Sequence, residues 1–177
     1  PRRRITQQAH ERAQVGAFVA WLNTRYRSKF EVVAEPNPPD AIIDLVVLLA
    51  RVEVTDAFWS DAFARDEYSY ATQGESHKPI GNGLFLEPDL QFASRFVEVV
   101  KKKLEKPSYC KSKLTYGPGY LLVPIMYPLF TPKSLYYMKE AWSCTQIEDR
   151  GCFRSVYISV QMGRGPIIRW SEYPTSR

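Results

Sequence analysis

The sequence has few of the residues that bind zinc or form disulfides. It contains two histidines, His10 and His77, and three cysteines, none of them paired at CxxC spacing. Most zinc hydrolases need several histidines, so that class is largely removed. An odd number of widely spaced cysteines argues against a disulfide framework and a structural zinc site, and favours reduced thiols.

Long apolar runs are also absent. The longest, residues 41–50, is interrupted by Asp44 and is too short to span a bilayer. The first residues show no signal-peptide pattern. Together with the reduced cysteines, these features predict an intracellular, cytoplasmic protein without a membrane partner.

What the chain does have is a composition typical of a folded protein. Its 177 residues include 45% hydrophobic and 14% aromatic residues. This length fits one domain with a substantial core, and no repeat or linker divides it, so we predict a single domain over residues 1–177. The net charge of +5 is compatible with a nucleic-acid partner.

Apolar periodicity and turn residues predict most of the elements in the first half of the chain. Residues 6–26 have the spacing of an amphipathic helix, with Thr6 as its N-cap. Residues 29–35 are β-branched and predict a strand. The apolar segment that follows is too long for one strand, so we expect a hairpin that turns near residues 48–51. Residues 58–83 predict a loop with some helical turns.

The second half of the chain continues with a helix over residues 89–109, which Pro107 should end. A strand broken by Pro124 and Pro128 follows, and then a short helix capped by Thr131 with Pro132 at its first position. A late alternating strand covers residues 152–163. The predicted order is helix, three strands, helix and strand, with a helix–strand extension.

Two carboxylates stand at opposite ends of the apolar hairpin segment. Asp40 opens it, and Glu53 lies near its far end with twelve residues between them. The predicted hairpin would bring both acids to one end of the sheet, where they repel each other unless a cation neutralises them. Hard oxygen ligands suit Mg²⁺ or Mn²⁺, and such a metal can polarise a phosphodiester and activate water. The simpler interpretation is a turn residue at Asp40 and an exposed strand residue at Glu53.

The sequence Pro39-Asp40, followed after this spacer by Glu53-Val54-Thr55, resembles the PD-(D/E)XK nuclease superfamily. The resemblance covers roughly residues 5–130 and leaves residues 131–177 as a C-terminal extension. It implies an α/β (α+β) fold with a restriction-endonuclease-like core, in which helices flank a central mixed sheet. It also implies Mg²⁺-dependent hydrolysis of nucleic acid, DNA rather than RNA, with Asp40, Glu53 and the Val54 carbonyl as metal ligands.

Thr55 departs from this pattern, since the family has a lysine at that position. In the family this lysine can move to another element, often the following helix. Lys103 falls in the middle of that helix's apolar face, where it would need an acidic partner. It would then orient or activate the attacking water, with support from a Thr55 hydrogen bond. Alternatively, Lys103 extends outward past its neighbours into solvent. The apolar face consists of Phe92, Phe96, Val99, Val100 and Leu104.

Further acids could join the metal site. Glu11 on the first helix matches the place where some members of the superfamily carry an additional metal-site glutamate. Asp44 would share a strand face with Asp40, and Glu35 precedes the proline turn. The alternative for each is an ordinary solvated charge.

A basic stretch at residues 101–113 is the candidate nucleic-acid contact, because lysines bind phosphates without reading sequence. Tyr109 and Tyr116 could stack on unpaired bases there. The alternative is a solvated helix end. The aromatics Tyr127, Phe130, Tyr136, Tyr137 and Trp142 are assigned to the core. The lysines predicted to contact nucleic acid are Lys101, Lys102, Lys106, Lys111 and Lys113.

The leading hypothesis is therefore a metal-dependent nuclease, for which cleavage of two strands would favour a homodimer. A second hypothesis is a scaffold that has lost catalysis, with Thr55 as the trace, and binds nucleic acid or protein. A third is an unrelated α/β domain with a structural or interaction role.

Overall fold

In the computed structural model, helices flank both faces of a central mixed β-sheet. The structure describes residues 2–36, 38–80, 86–117, 119–145 and 152–170, without the side chains of residues 2, 3, 110–114, 162 and 163. The predicted mixed α/β class, with its mixed central sheet and flanking helices, is confirmed. Of the helices in these ranges, none is both long enough and apolar enough to cross a membrane.

The elements follow one another in an irregular alternation of helices and strands. The helices are α1 (Arg2–Tyr26), α2 (Asp61–Ala71), α3 (Pro88–Leu104), α4 (Pro107–Tyr116), α5 (Pro132–Ser143) and α6 (Val160–Gly163). The strands are β1 (Glu31–Ala34), β2 (Ala41–Asp44), β3 (Leu49–Val54), β4 (Ala57–Phe58), β5 (Gly119–Met126), β6 (Phe153–Ser159) and β7 (Ile167–Arg169).

The sheet joins an antiparallel half to a parallel half. Its strand order is β1-β2-β3-β5-β6-β7, and β4 pairs with β5 beyond the end of β3. The strands β1, β2 and β3 form an antiparallel meander, whereas β5 runs parallel to both β3 and β6. The predicted C-terminal extension adds β6 and β7 to this same sheet.

Alternation along the strands divides the core into two layers. On one face, Val52, Tyr120 and Leu122 pack with Phe18 of α1. On the other face, Leu121, Val123 and Ile125 of β5 pack with buried residues of α3 and α5. A strand with opposite faces buried in this way is apolar throughout, as β5 is.

The β2–β3 hairpin turns earlier than expected. The turn occupies residues 45–48, closed by the Leu45 N–H donating to the Leu48 carbonyl at 3.0 Å, and not residues 48–51. Val46 adopts a φ of 73°, a left-handed conformation that β-branched residues rarely adopt. The prediction was wrong because the turn contains none of the glycine or asparagine residues that usually occupy such positions.

Two helices differ from their predicted bounds. The first begins at Arg2, so Thr6 lies inside α1 and is not its N-cap. Residues predicted as loop contain the regular helix α2, whose N-cap Ser60 accepts a hydrogen bond from the Phe63 N–H at 3.1 Å. The sequence prediction did not identify Ser60 as the N-cap of a helix.

Prolines were partly misinterpreted as breaks. Pro107 follows the end of α3 as predicted, but it also begins α4. Pro124 lies inside the continuous strand β5. It falls between Leu122, which pairs with β3, and Ile125, which pairs with β4, so its missing N–H removes no ladder bond on that side. The Thr131 cap of α5 is confirmed as part of a capping box.

The assigned core aromatics fall into three groups. Tyr127 is buried, whereas Phe130, Tyr137 and Trp142 are partly buried against the same core layer. Tyr136 is 56% exposed, so its assignment to the core was wrong.

Candidate functional site

A cavity of about 730 Å³ lies at the end of β3, where the two strands of the hairpin reach the helices. Four acids line it, namely Glu11, Asp40, Glu53 and Asp56, and we call it the carboxylate cavity. Its other walls come from the first turns of α1, from α2, and from the junction between α3 and α4. Residues from four helices therefore surround the end of one hairpin.

The hairpin register brings Asp40 and Glu53 together. Ala41 pairs with Val52, so the residues one position further along each strand stand opposite one another. The Val54 N–H donates to Asp40 Oδ2 at 2.7 Å, which fixes the aspartate against the end of β3. The predicted hairpin thus sets these two acids side by side, although it turns earlier than expected.

Glu53 is only 4% exposed and has a cationic partner. Its Oε1 accepts a hydrogen bond from Lys103 Nζ at 2.9 Å and another from the Tyr109 hydroxyl. Lys103 Nζ also donates to the Tyr109 hydroxyl oxygen at 2.9 Å. The lysine on the apolar face of α3 therefore reaches the buried Glu53 carboxylate, and its side chain is only 25% exposed.

Lys103 stays charged in this environment. Burial lowers the pKa of Lys103, but the Glu53 charge and the hydrogen bonds to Tyr109 and Glu53 outweigh burial and raise it above its ordinary value. The side chain is consequently an ammonium group at neutral pH, which can donate a hydrogen bond or stabilise negative charge but cannot accept a proton.

The pKa of Asp40 is also raised, but for a carboxyl group this favours the uncharged form. Burial, then the charge of Glu53 and more weakly that of Glu11, raise the pKa of Asp40 to about 7, against the hydrogen bond from Val54. Burial also raises the pKa of Glu11; its hydrogen bond from Gln7 opposes this, and the charges of Asp56 and Glu53 add to it. The cavity therefore holds more negative charge than its own cations offset.

A second hydrogen-bonded group, centred on Asp56 at the wall of this cavity, was not predicted from the sequence. Asp56 follows β3, and its Oδ1 lies 2.8 Å from His10 Nε2. The Tyr68 hydroxyl donates to Asp56 Oδ2 at 2.8 Å. The hydrogen bond to Asp56 raises the pKa of His10, against the effect of burial. An acid directly after a buried strand was the available signal.

The role that was predicted for Tyr109 from the sequence differs from the one that the structure indicates. It was expected to stack on bases, but it is 3% exposed and its hydroxyl joins Lys103 to Glu53. Burial, together with the hydrogen bond to Glu53, raises the pKa of Tyr109 to about 12, so it remains a neutral donor. Its position depends on α4, which was not predicted.

The donors suit a hard cation. Glu53 Oε2 is buried and has no hydrogen-bond partner, and Asp40 is close enough for its carboxylate to repel that of Glu53. Mg²⁺ binds through one or two carboxylates and retains several waters, so this pair fits it. Among the residues that the structure describes, no three or more His, Cys, Asp or Glu side chains form a metal-binding group. Glu11 therefore does not join the pair in one cluster.

The remaining predicted acids do not line the carboxylate cavity, although Glu35 lines a smaller cavity of about 40 Å³ with Glu11 and Asp40. Glu35 Oε2 pairs with Arg12 Nε at 2.6 Å on the surface. Asp44 is at the far end of β2, where its Oδ1 accepts the Val46 N–H at 2.7 Å. Both lie outside the lining of the carboxylate cavity, whereas Val54 and Thr55 line it.

The predicted nucleic-acid lysines separate into two groups. Lys106 lines the cavity, with its Nζ 5.0 Å from the centroid of the Tyr109 ring. Lys101 and Lys102 do not line it and pair with Glu105 and Glu98, at 3.7 and 2.6 Å. The side chains of Lys111 and Lys113 lie outside those that the structure describes.

Comparisons of this chain with protein-family models, with curated proteins and with solved structures give no match. The geometry of the cavity and the chemistry of its side chains are therefore the basis for assigning a function.

Proposed function

We propose that the chain is a metal-dependent nuclease with a restriction-endonuclease-like core that hydrolyses phosphodiester bonds in DNA. The observation that carries the proposal is the convergence of Asp40, Glu53 and Lys103, which come from three separate elements. Asp40 accepts a hydrogen bond from the Val54 N–H at the end of β3, and Glu53 accepts one from Lys103 of α3. An amine thus reaches the site even though Thr55 occupies the position of the motif lysine.

The order of the elements supports the same proposal. A first helix, an antiparallel meander of three strands, a helix and a parallel strand correspond to α1, β1–β3, α3 and β5. This is the order that the resemblance to PD-(D/E)XK nucleases implies. In this chain β4 and α2 are inserted between the meander and α3.

Each side chain has a role that its environment permits. Asp40 and Glu53 would hold Mg²⁺ or Mn²⁺, with the Val54 carbonyl as a further ligand; the metal would polarise the phosphodiester and activate water. The Lys103 ammonium is placed to stabilise negative charge on the phosphate in the transition state. Thr55 can orient water through its hydroxyl.

A specific observation favours a second candidate, a scaffold that binds nucleic acid or protein without cleaving it. Glu53 already has Lys103 and Tyr109 as donors, so its charge is neutralised without a metal. The pair therefore needs no further cation for charge balance, although only Oε1 of Glu53 has hydrogen-bond donors and Oε2 has none. This candidate requires that Mn²⁺ does not bind at Asp40 and Glu53.

Isosteric variants test the nuclease proposal. Asp40→Asn and Glu53→Gln should each lower the rate of Mg²⁺-dependent cleavage of plasmid and oligonucleotide DNA by at least about a hundredfold. Asp44→Asn is the matched control, because it removes an acid from the same hairpin but outside the cavity. Circular dichroism should show that all three variants are folded.

Cleavage retained by both Asp40→Asn and Glu53→Gln would refute the assignment of these residues. If the unmodified protein cleaves nothing, calorimetry with Mn²⁺ separates the remaining candidates. Specific binding that Glu53→Gln abolishes would support a metal site with an untested substrate, whereas an absence of binding would support the scaffold.

A further inference from the structure

The volume of the carboxylate cavity and the burial of Glu53 indicate what size of ligand can reach its acids. Glu53 lies on its floor with 4% exposure, between walls formed by α1, α2 and the α3–α4 junction. The volume of about 730 Å³ is that of a site for a small molecule or a few nucleotides of one strand. A phosphate in paired duplex brings the second strand with it, and the duplex is stiff over this length. The volume of the cavity matches a few nucleotides of a single unpaired strand.

The cations on the cavity walls are available for phosphates. Arg4 on α1 and Lys106 between α3 and α4 both line the cavity. Within the described part of the chain, neither forms an ion pair, whereas Lys101 and Lys102 each pair with a glutamate one turn away. A strand that crosses the cavity would meet positive charge on two of its walls.

An aromatic ring lies on another wall. Phe58, the last residue of β4, lines the cavity and is half-buried. Its ring packs against Phe63 and Tyr68, with centroids 6.2 and 5.5 Å away, so its orientation is fixed by neighbours on the protein side. Fixed aromatic rings of this kind stack on unpaired bases whatever the sequence.

We propose that the carboxylate cavity takes one unpaired DNA strand, with phosphates at Arg4 and Lys106 and a base on Phe58. This deepens and rests on the proposed nuclease function: the substrate is single-stranded DNA or an unpaired region, not the interior of a duplex. The metal-bound acids then meet a phosphate that has left the double helix.

Cleavage of three matched substrates provides the first test. The unmodified protein and Mg²⁺ are given one labelled strand alone, in a blunt duplex, and in a duplex with a central unpaired region. The free strand and the unpaired region should be cut at least about tenfold faster than the duplex. Equal or faster cutting of the blunt duplex would overturn this inference while leaving the nuclease assignment intact.

Binding gives a second readout that does not need activity. With Ca²⁺, fluorescence anisotropy measures the affinity for a labelled strand of about 16 nucleotides and for the same sequence as duplex. Phe58→Leu keeps apolar bulk and should weaken strand binding about tenfold through lost stacking. Tyr70→Leu is the matched control, since Tyr70 lies on α2, is 79% exposed and does not line the cavity.

Arg4→Gln and Lys106→Gln should each weaken strand binding and reduce its salt dependence, whereas Lys101→Gln should leave both unchanged. Duplex bound as tightly as the strand, or equal binding by Phe58→Leu and the unmodified protein, would overturn the inference. If no substrate is cleaved, the calorimetry with Mn²⁺ decides between the nuclease and the scaffold, and these affinities alone decide whether the cavity takes an unpaired strand.

Discussion

In the absence of a cation, the charged Asp40 lowers the free energy of unfolding. Its pKa is about 7 in the folded state against an ordinary 3.8, so the folded protein holds the proton more tightly than the unfolded chain. Stability therefore falls as pH rises from about 4 to about 7, and the loss is complete above that range. From the size of the shift, the loss is at most about 4 kcal/mol.

We predict that Asp40→Asn stabilises the metal-free protein at pH 8 by about 1 to 3 kcal/mol and has little effect near pH 4. The amide keeps an acceptor for the Val54 N–H but removes the repulsion with Glu53. Urea unfolding with EDTA at both pH values measures the difference. Asp44→Asn should show no such pH-dependent gain; a gain for Asp40→Asn that is equal at both pH values would contradict the prediction.

Lys103 should contribute to the stability of the fold mainly because it neutralises Glu53, which is charged and buried. We predict that Lys103→Met destabilises the protein by about 3 kcal/mol at pH 8, since it leaves the carboxylate without its cation. Adding Glu53→Gln to that variant removes the charge and should restore about half of the loss. Denaturant unfolding of the two single variants and the double variant measures this coupling. A double variant as unstable as the sum of the singles would show that the two side chains act independently.

At this scale the sequence identified some site residues and missed others for definite reasons. Lys103 was found because helical periodicity places it on the apolar face that α3 turns towards the sheet. Tyr109 was misassigned because its position depends on where α4 points after Pro107, which no local pattern determines. The His10–Asp56 pair joins residues 46 positions apart, so only the folded chain reveals it.

Among the elements, the β2–β3 hairpin matters most, because its register decides whether Asp40 and Glu53 meet. A shift of one residue would move one acid to the opposite face of the sheet. The turn at residues 45–48 contains Val46 with a φ of 73°, where its branched side chain is strained. The register is therefore maintained by the buried strands, whose residues Ala41, Ile43, Ala50 and Val52 all belong to one core layer.

We predict that Val46→Asn stabilises the protein by about 1 kcal/mol, because asparagine tolerates the left-handed conformation. Val46 is 71% exposed, so little apolar burial is lost. Val47→Asn is the matched control: its side chain is 86% exposed, but its φ is not positive. Thermal unfolding compares the two, and an equal effect of both changes would show that turn strain is not the cause.

Two errors of the sequence prediction concern whole elements, and each has its own physical reason. Pro124 was predicted to break a strand, but the effect of a proline depends on which strand lies beside it. At this position the strand next to β5 changes from β3 to β4, so β5 continues through the proline. The loop predicted over residues 58–83 contains α2, which was not predicted because its many polar residues obscure the apolar periodicity of a helix. By contrast, α3 and the capped start of α5 were predicted because their signals are local.

In the whole molecule, the cavity lies where the two core layers end. The α1 layer contributes Glu11, and the α3 layer contributes Lys103, on either side of the hairpin that carries Asp40 and Glu53. The lining contains four carboxylates and three cationic side chains, while the chain as a whole has a net charge of +5. Nucleic acid should therefore be attracted to the molecule but repelled from the cavity floor until a divalent cation binds.

This arrangement predicts that Mg²⁺ stabilises the protein through the same acids that destabilise it when metal-free. At a hundredfold excess over its dissociation constant, Mg²⁺ should add about 2.7 kcal/mol, a rise in Tm of roughly 5 to 10 °C. Asp40→Asn and Glu53→Gln should abolish the rise, whereas Asp44→Asn should keep it. Differential scanning calorimetry at pH 8, with NaCl matched for ionic strength, makes the measurement. Asp40→Asn should therefore lose most of its stability advantage over the unmodified protein when EDTA is replaced by saturating Mg²⁺; a shift of equal size in every variant would mean that the cation binds elsewhere.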